Sequence, residues 1–197
     1  MPDTRYPILE PLRLKLESSN NDGQRIALLT CGITGSGKST LARSIFHNYP
    51  NFIRLSIDKH VFEHHGVYDI NYPASRYPEL QLEAETALIQ TLKQTLEEGE
   101  RDVVLDLSFW SKEMREEYRE IIEKEGGGRY EIVLLVFKGS EEVLWRRVEG
   151  RRVQDEKLRE NGEGGEGMSV DRETLRGYLE GFEWPGEDEE HFLVRVL

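Results

Sequence analysis

Residues 32–39 form a glycine-rich octet that reads Gly-Ile-Thr-Gly-Ser-Gly-Lys-Ser. The octet matches the phosphate-binding loop pattern G-x-x-x-x-G-K-[ST], in which backbone N–H groups cradle phosphate oxygens, the lysine reaches the β- and γ-phosphates and the final hydroxyl ligates Mg²⁺. The sequence therefore predicts that Lys38 is catalytic and that Ser39 binds a metal ion. The residues predicted to bind the nucleotide are Gly32, Thr34, Gly35, Ser36, Gly37, Lys38, Ser39 and Thr40.

The residues on either side of this loop provide the context that the motif needs. Arg25–Cys31 is an apolar run of buried-strand length, and Lys38–Tyr49 has helical spacing with Leu41, Ile45 and Phe46 on one face. A glycine-rich surface turn is the alternative explanation, but such a turn requires neither flank. A loop between a strand and a helix indicates binding of a nucleoside triphosphate.

Two acidic residues follow apolar, strand-like runs and could take part in the chemistry. Asp58 follows Phe-Ile-Arg-Leu-Ser-Ile at 52–57 and could accept a proton from a substrate hydroxyl or orient that hydroxyl. The alternative is that Asp58 caps a helix over Lys59–His65. Asp106 follows Val-Val-Leu, the Walker B pattern, and could hold Mg²⁺ or contact the substrate. Burying a carboxylate in such a run without a partner is costly, which favours a functional role for Asp106.

Four arginines, at positions 146, 147, 151 and 152, lie on a predicted helix over Ser140–Arg152. Arg147 and Arg151 are one turn apart on one face, where they could neutralise charge on a transferring phosphoryl group. The alternative is a solvated face that pairs with neighbouring glutamates. The glycine-rich stretch Gln154–Met168 follows, and we interpret it either as a slack surface loop or as a lid over residues 150–169.

The composition restricts the class of protein. The chain has 197 residues and a net charge of −12, which fits one domain and disfavours a non-specific nucleic-acid surface. The lone cysteine, Cys31, cannot form an internal disulfide and is predicted to be buried. The N-terminus lacks the apolar core of a signal peptide and no segment has the apolar length of a membrane span, so we expect a cytoplasmic protein.

The order of the predicted elements indicates an α/β fold. Apolar strands are expected at 25–31, 52–57, 102–107, 130–137 and 192–196, and they alternate with helical patterns at 38–49, 79–98, 111–124, 140–152 and 171–182. Such alternation predicts a parallel sheet with helices on both faces, in a single domain over residues 25–197. Residues 1–24 are predicted to form an N-terminal arm. The segment His60–Pro78 has no clear periodicity and is expected beyond the carboxyl edge of the sheet; its histidines lack the partners of a metal site.

Together these motifs resemble the P-loop kinases that group with the zeta toxins and the kinase domain of polynucleotide 5′-hydroxyl kinases, the AAA_33 type of domain. The resemblance covers nearly the whole chain after residue 24. It runs through the loop extended to residue 43, Leu-Ser-Ile-Asp at 55–58, Val-Val-Leu-Asp-Leu-Ser-Phe-Trp at 103–110, Leu-Trp-Arg-Arg-Val-Glu-Gly-Arg-Arg at 144–152 and Phe-Glu-Trp-Pro-Gly-Glu-Asp-Glu at 182–189.

That resemblance implies strand order 2-3-1-4-5 and transfer of a phosphoryl group from ATP, with Mg²⁺, to a hydroxyl. It implies that Asp58 is the base and that Arg147 or Arg151 is a lid arginine. Polynucleotide kinases of this type carry an arginine shortly after the base, whereas Lys-His-Val follows Asp58 here. We therefore expect a kinase that acts on a small hydroxyl compound and not on nucleic acid. The alternatives are a polynucleotide or nucleotide-sugar kinase, and a nucleotide-binding regulatory module without turnover.

Overall fold

A parallel β-sheet forms the centre of the computed structural model, which describes residues 10–18, 24–159, 165–166, 168 and 170–196. Its strands are β1 (Arg25–Cys31), β2 (Phe52–Leu55), β3 (Asp102–Leu105), β4 (Tyr130–Lys138) and β5 (Phe192–Arg195). All neighbours pair in parallel in the order β2-β3-β1-β4-β5, so the predicted order 2-3-1-4-5 is confirmed. In the middle of the sheet, Ala27 pairs with Val103 on one side and with Ile132 on the other.

Helices connect the strands. They are α1 (Glu10–Ser18), α2 (Lys38–Asn48), α3 (Ile57–His65), α4 (Tyr77–Glu98), α5 (Lys112–Gly126), α6 (Glu141–Arg159) and α7 (Arg172–Gly181), with a 3₁₀ turn at Ala74–Arg76. Local sequence signals account for where several of these helices begin or end. Ser111 and Asp171 accept hydrogen bonds from the first turns of α5 and α7, and Gly99 ends α4 in a left-handed conformation.

Helices α1 and α2 differ from the prediction in their position or in their buried face. Residues 10–18 form α1 within the predicted N-terminal arm, and Leu12 and Leu16 are buried in the main core. These leucines are four residues apart and share one face, so burying them stabilises a short helix. In α2, Phe46 is half exposed and Ala42 is buried in its place beside Leu41 and Ile45.

Helix α6 continues to Arg159, seven residues beyond its predicted end, because positions 153–159 contain neither glycine nor proline. The first part of the predicted lid is therefore helical. Most of its glycine tract, at residues 160–164 and 167, lies outside the described residues, so the lid itself stays a prediction. Among the described helices, none combines the length and the apolar composition that crossing a membrane would require.

A second, smaller hydrophobic cluster lies beside α3 and α4. Its buried members are Val61, Tyr72, Tyr77, Leu80 and Ala84. The aromatic residues of the aperiodic segment His60–Pro78 therefore pack partly against each other, with the rings of Tyr72 and Tyr77 stacked at a centroid distance of 6.4 Å. This packing holds Tyr77 at the start of α4, next to the end of β2.

Candidate active site

A cavity of about 1440 Å³ opens at the carboxyl ends of the strands. Ligands of open parallel sheets bind at this edge because the loops that leave the strands converge there. The phosphate-binding loop lies in the middle of the cavity, because it follows the central strand β1. Predicted site residues that line the cavity are Thr34, Gly35, Gly37, Lys38, Ser39, Thr40, Asp58, Asp106, Arg147 and Arg151, whereas Gly32 and Ser36 lie behind its surface.

The glycines give the loop a path that other residues could not follow. Gly35 has φ 78°, and a Cβ there would lie 2.8 Å from both the Leu144 carbonyl oxygen and the Val148 Cγ2 of α6. Gly32 has φ 153°, and its N–H donates to the Ser108 carbonyl at 2.9 Å. The loop is therefore held closely between helix α6 and the chain that leaves β3.

The Lys38 side chain is placed to bind an anion. Its Nζ donates to the Ile33 carbonyl of the loop at 2.9 Å. Burial lowers the pKa of Lys38 to about 8, and the charges of Asp106 and Asp58 oppose that shift only in part. The hydroxyl of Ser36 is buried in the same loop without a hydrogen-bond partner. A phosphate group would pair with the Lys38 ammonium, so the loop fits the nucleotide that its sequence predicts.

Ser39 and Asp106 lie together, as two predicted metal ligands should. The Ser39 Oγ is 3.1 Å from Oδ1 of Asp106, although 67 residues separate them in the sequence. Hydroxyl and carboxylate oxygens are the ligands that Mg²⁺ prefers, and Mg²⁺ usually keeps several waters and substrate phosphates as its other ligands. This pair beside the loop therefore fits Mg²⁺ bound with a nucleotide.

A buried arginine that the sequence analysis did not single out holds the other oxygen of Asp106. The Nε and Nη2 atoms of Arg54 donate to Oδ2 at 2.9 and 2.7 Å, and the two side chains are 4% and 2% exposed. Arg54 also donates to Glu166 at 2.6 Å. Burial acts to raise the pKa of Glu166, but the hydrogen bonds and charge of Arg54, together with the charges of Arg43 and Lys59, outweigh it, and the pKa lies below its usual value. Arg54 is a charged residue within the apolar strand Phe-Ile-Arg-Leu, and this was the feature of the sequence that could have indicated a buried ion pair.

Asp58 does not cap helix α3, so the capping alternative is wrong. The cap is Ser56, whose Oγ accepts from the Lys59 backbone N–H at 3.3 Å. Asp58 lies in the first turn, exposed to the cavity, and its Oδ1 accepts from the Tyr77 hydroxyl at 2.8 Å. Desolvation by the surrounding protein raises the pKa of Asp58, although the Tyr77 hydrogen bond and Lys38 act against the shift.

Only two of the four arginines on α6 reach the cavity. Arg147 is half-buried and Arg151 is exposed, and both line it from one face of the helix. The Arg151 Nη2 donates to the Thr34 Oγ1 of the loop at 3.1 Å. Arg146 and Arg152 do not line the cavity, and the Arg152 Nε is 3.7 Å from Glu156 on its own helix. The Arg147–Arg151 face of α6 can therefore approach bound phosphates.

The cavity has two sides around the loop. On the β2–β3 side its lining comes from α3 and α4, through Ile57, Asp58, Tyr77 and Gln81. Trp110 and Met114 line it from the β3–α5 connection and α5, and the Trp110 carbonyl accepts a hydrogen bond from the Glu183 N–H of the chain after α7 at 2.9 Å. On the β4–β5 side it comes from α7, the chain after it and β5, through Gly177, Tyr178, Gly181, Phe182, Leu193, Val194 and Arg195. A molecule on each side would meet at the loop. Apart from Asp58, none of these residues was predicted from the sequence to be a site residue.

The three histidines of α3, at positions 60, 64 and 65, lie outside the cavity lining. The rings of His60 and His64 stack at 4.1 Å, and the His65 Nε2 is 3.2 Å from a Glu83 carboxylate oxygen. They pair with each other and with α4.

Comparison with known proteins agrees with this geometry. Residues 28–185 match the model of the AAA_33 family, described as an AAA domain. Among solved structures, the chain is similar to a candidate kinase of Chloroflexus aurantiacus, with a TM-score of 0.60 and 18% identity over 88% of this chain and 85% of that chain. It is also similar to Kti12 of Chaetomium thermophilum in complex with ADP-AlF3, with a TM-score of 0.59 and 20% identity over 86% and 88% of the two chains.

A third similar structure is the Pnkp1/Rnl/Hen1 RNA repair complex, with a TM-score of 0.60 and 18% identity over 82% of this chain but only 46% of that chain. Identities this low establish the fold alone. All of these similarities support a kinase-like P-loop fold.

Proposed function

The chain belongs to the AAA_33 family of AAA domains, and we propose that it is an ATP-dependent kinase that transfers the γ-phosphoryl group to a hydroxyl of a small molecule. The observation that carries the proposal is the position of Asp58. Its carboxylate faces the same cavity as the phosphate-binding loop and is oriented by the Tyr77 hydroxyl at 2.8 Å. A domain that only bound nucleotide would have no need of an oriented carboxylate there.

The loop side of the cavity holds the donor. ATP with Mg²⁺ supplies the phosphoryl group and charge neutralisation when bound. Backbone N–H groups of residues 32–40 and the Lys38 ammonium would bind the phosphates, while Ser39 and Asp106 would hold the metal ion. Arg147 and Arg151 approach from α6, where their charge stabilises the negative charge that spreads over the phosphoryl oxygens.

Asp58 acts on the acceptor. It accepts the hydroxyl proton as the hydroxyl oxygen bonds to the γ-phosphorus and the bond to the β–γ bridging oxygen breaks. A carboxylate with a raised pKa is a stronger proton acceptor than an ordinary aspartate, and desolvation gives Asp58 that property. Tyr77 keeps Oδ1 in one orientation, which leaves Oδ2 to meet the acceptor.

A small acceptor is favoured by the charges around Asp58. Among the described residues, those that line the cavity from α3, α4 and α5 include no lysine or arginine. Arg76, the basic residue of the segment before α4, pairs with Glu79 at 3.7 Å and does not line the cavity. A polynucleotide would need cations beyond its 5′-hydroxyl to hold its phosphates.

The test is ATP consumption against a panel of hydroxyl compounds, nucleosides and a 5′-hydroxyl oligonucleotide, with phosphorylated products identified by mass. Transfer to a small compound that is lost in both Lys38→Ala and Asp58→Asn supports the proposal. Efficient labelling of the oligonucleotide, with a steep dependence on salt, would assign a polynucleotide kinase instead. ATP binding that depends on Lys38 but is followed by no turnover with any acceptor would assign a regulatory module.

A further inference from the structure

Glu166 belongs to the glycine-rich stretch Gln154–Met168, yet its side chain is only 20% exposed. Its carboxylate contacts two arginines of distant elements. Arg54 of β2 donates to it at 2.6 and 3.2 Å, and Arg43 Nη1 of α2 is 3.4 Å away. In the sequence, 112 residues separate Glu166 from Arg54. Glu166 therefore forms a partly buried, long-range ion pair and differs from the solvated charges of an ordinary surface loop.

The guanidinium group of Arg54 is shared between two carboxylates. Its Nε and Nη2 donate to Oδ2 of Asp106 at 2.9 and 2.7 Å, and its Nη1 and Nη2 donate to the two oxygens of Glu166. One edge of the planar group thus serves each carboxylate. The Arg54 side chain is 4% exposed, so it turns away from neither partner without losing buried hydrogen bonds. This arrangement fixes Oδ2 of Asp106, while Oδ1 stays 3.1 Å from the Ser39 Oγ.

The negative charge of Glu166 also affects what Asp106 can bind. A guanidinium group beside Asp106 weakens the attraction of this carboxylate for a cation, because the arginine itself repels a metal ion. Glu166 offsets that positive charge through the same guanidinium group. Without the charge of Glu166, Arg54 would interact with Asp106 alone. Both the repulsion of the metal ion and the competition for Asp106 would then increase.

The chain beside Glu166 has attachments of its own. The Met168 side chain packs against the second hydrophobic cluster, which α3 and α4 contribute to. The Met168 carbonyl is 3.5 Å from Arg151 Nη2, which also donates to Thr34 of the phosphate-binding loop. These contacts do not involve the Glu166 carboxylate. A substitution that removes only its charge therefore leaves other contacts that hold this part of the chain.

From the shared guanidinium group, its burial and the charge that it carries, we infer that Glu166 is a positioning residue of the metal site. It acts through Arg54: it holds the guanidinium group against Oδ2 of Asp106 and preserves the attraction of Asp106 for Mg²⁺. The inference rests on the proposed function, since it uses the assignment of Ser39 and Asp106 to Mg²⁺. It gives the chain after α6 a role at the donor site, through a residue that no phosphate-binding motif contains.

The experiment measures how much Mg²⁺ strengthens nucleotide binding, which requires no turnover. The probe is a fluorescent, non-hydrolysable analogue of ATP. Its Kd is determined with EDTA and with excess Mg²⁺, and the ratio of the two values is the Mg²⁺ gain. Glu166→Gln removes the charge and directs an amide group at Arg54. The matched control is Glu156→Gln on α6, which changes the net charge equally; Glu156 is 65% exposed, lies 3.7 Å from Arg152 and does not line the cavity.

We expect Glu166→Gln to reduce the Mg²⁺ gain by about 10-fold, while the Kd in EDTA stays nearly unchanged. Loss of an outer-shell partner of a metal ligand costs about 10–100-fold in metal affinity, and Glu166 acts one contact further out, so the lower end applies. Glu166→Asp keeps the charge on a shorter side chain and should retain more of the gain. Glu156→Gln should bind as the wild type does. Thermal melting checks that each variant is folded.

Equal weakening of binding in EDTA and in Mg²⁺ would show that Glu166 only holds the chain in place, and would overturn the inference. An unchanged Mg²⁺ gain in Glu166→Gln, or the absence of any gain in the wild type, would overturn it too. The kinase proposal is decided separately, by the phosphorylated products of the acceptor panel. A reduced Mg²⁺ gain in Glu166→Gln, combined with no product from any acceptor, would support the positioning role and contradict the kinase proposal.

Discussion

Replacement of Arg54 by methionine should expose how strongly Asp106 depends on a buried partner. The variant keeps the apolar length of the side chain but removes the guanidinium group that donates two hydrogen bonds to Oδ2 of Asp106. Both side chains are almost completely buried, so the carboxylate left behind cannot turn to water. Breaking a buried ion pair by removing one partner costs about 3–5 kcal/mol. For a domain of this size that corresponds to a fall in melting temperature of roughly 6–20 °C.

The assay is urea unfolding of a double-mutant cycle with Arg54→Met, Asp106→Asn and the double variant. The double variant should recover much of the loss, because the amide leaves no unpaired charge. The control is Arg13→Met, which removes a pair with Glu17 whose side chains are 43% and 47% exposed and should cost under about 1 kcal/mol. If Arg54→Met costs no more than this control, or if the two single losses simply add, the carboxylate does not depend on Arg54.

Three further results are expected. Lys38→Ala should reduce turnover by about 10²–10³-fold, because it removes a charge directed at the phosphates, and near-normal turnover in a coupled assay would show that the loop is not the catalytic phosphate site. Asp58→Asn should abolish turnover but leave ATP affinity almost unchanged, because the amide keeps the shape of the side chain but cannot accept a proton; turnover that survives in the coupled assay would show that Asp58 is not the base. ATP affinity should fall as the pH rises above about 8, because Lys38 loses its proton there in the unliganded protein. Calorimetry should detect proton uptake on ATP binding in that range, and Lys38→Ala should show neither effect. A wild-type ATP affinity that stays flat from pH 7 to 10 would contradict the lowered pKa of Lys38.

The parts of the site that could be predicted are those that residues adjacent in the sequence determine. The octet at 32–39 specifies its own backbone path, so Lys38 and Ser39 could be placed without knowledge of the rest of the chain. The acid after an apolar strand also placed Asp106 at the sheet edge, because the carboxyl ends of parallel strands share one edge. Strand order came from the resemblance and was confirmed by the pairing.

Contacts between distant residues could not be predicted. Arg54 meets Asp106 across 52 residues, and Tyr77 reaches Asp58 from a segment without periodicity. Whether Asp58 caps a helix likewise depended on where α3 begins, and the capping residue is Ser56, two residues earlier. Helix α1 was missed because its stability depends on burying Leu12 and Leu16 against the main core and not on a strong local signal.

The protonation of Lys38 and Asp58 and the pairing of Asp106 depend on burial and on neighbouring charges. Without a nucleotide, Lys38 is close to losing its proton because burial opposes its charge, and desolvation holds the pKa of Asp58 above its usual value. Arg54 carries the opposite charge to Asp106 but is itself shared with Glu166, and it contacts Oδ2 of Asp106 while Oδ1 lies beside Ser39. The phosphates of a bound nucleotide would restore the charge on Lys38. Binding of the donor would therefore ensure that the Lys38 ammonium is present when negative charge develops on the transferring group.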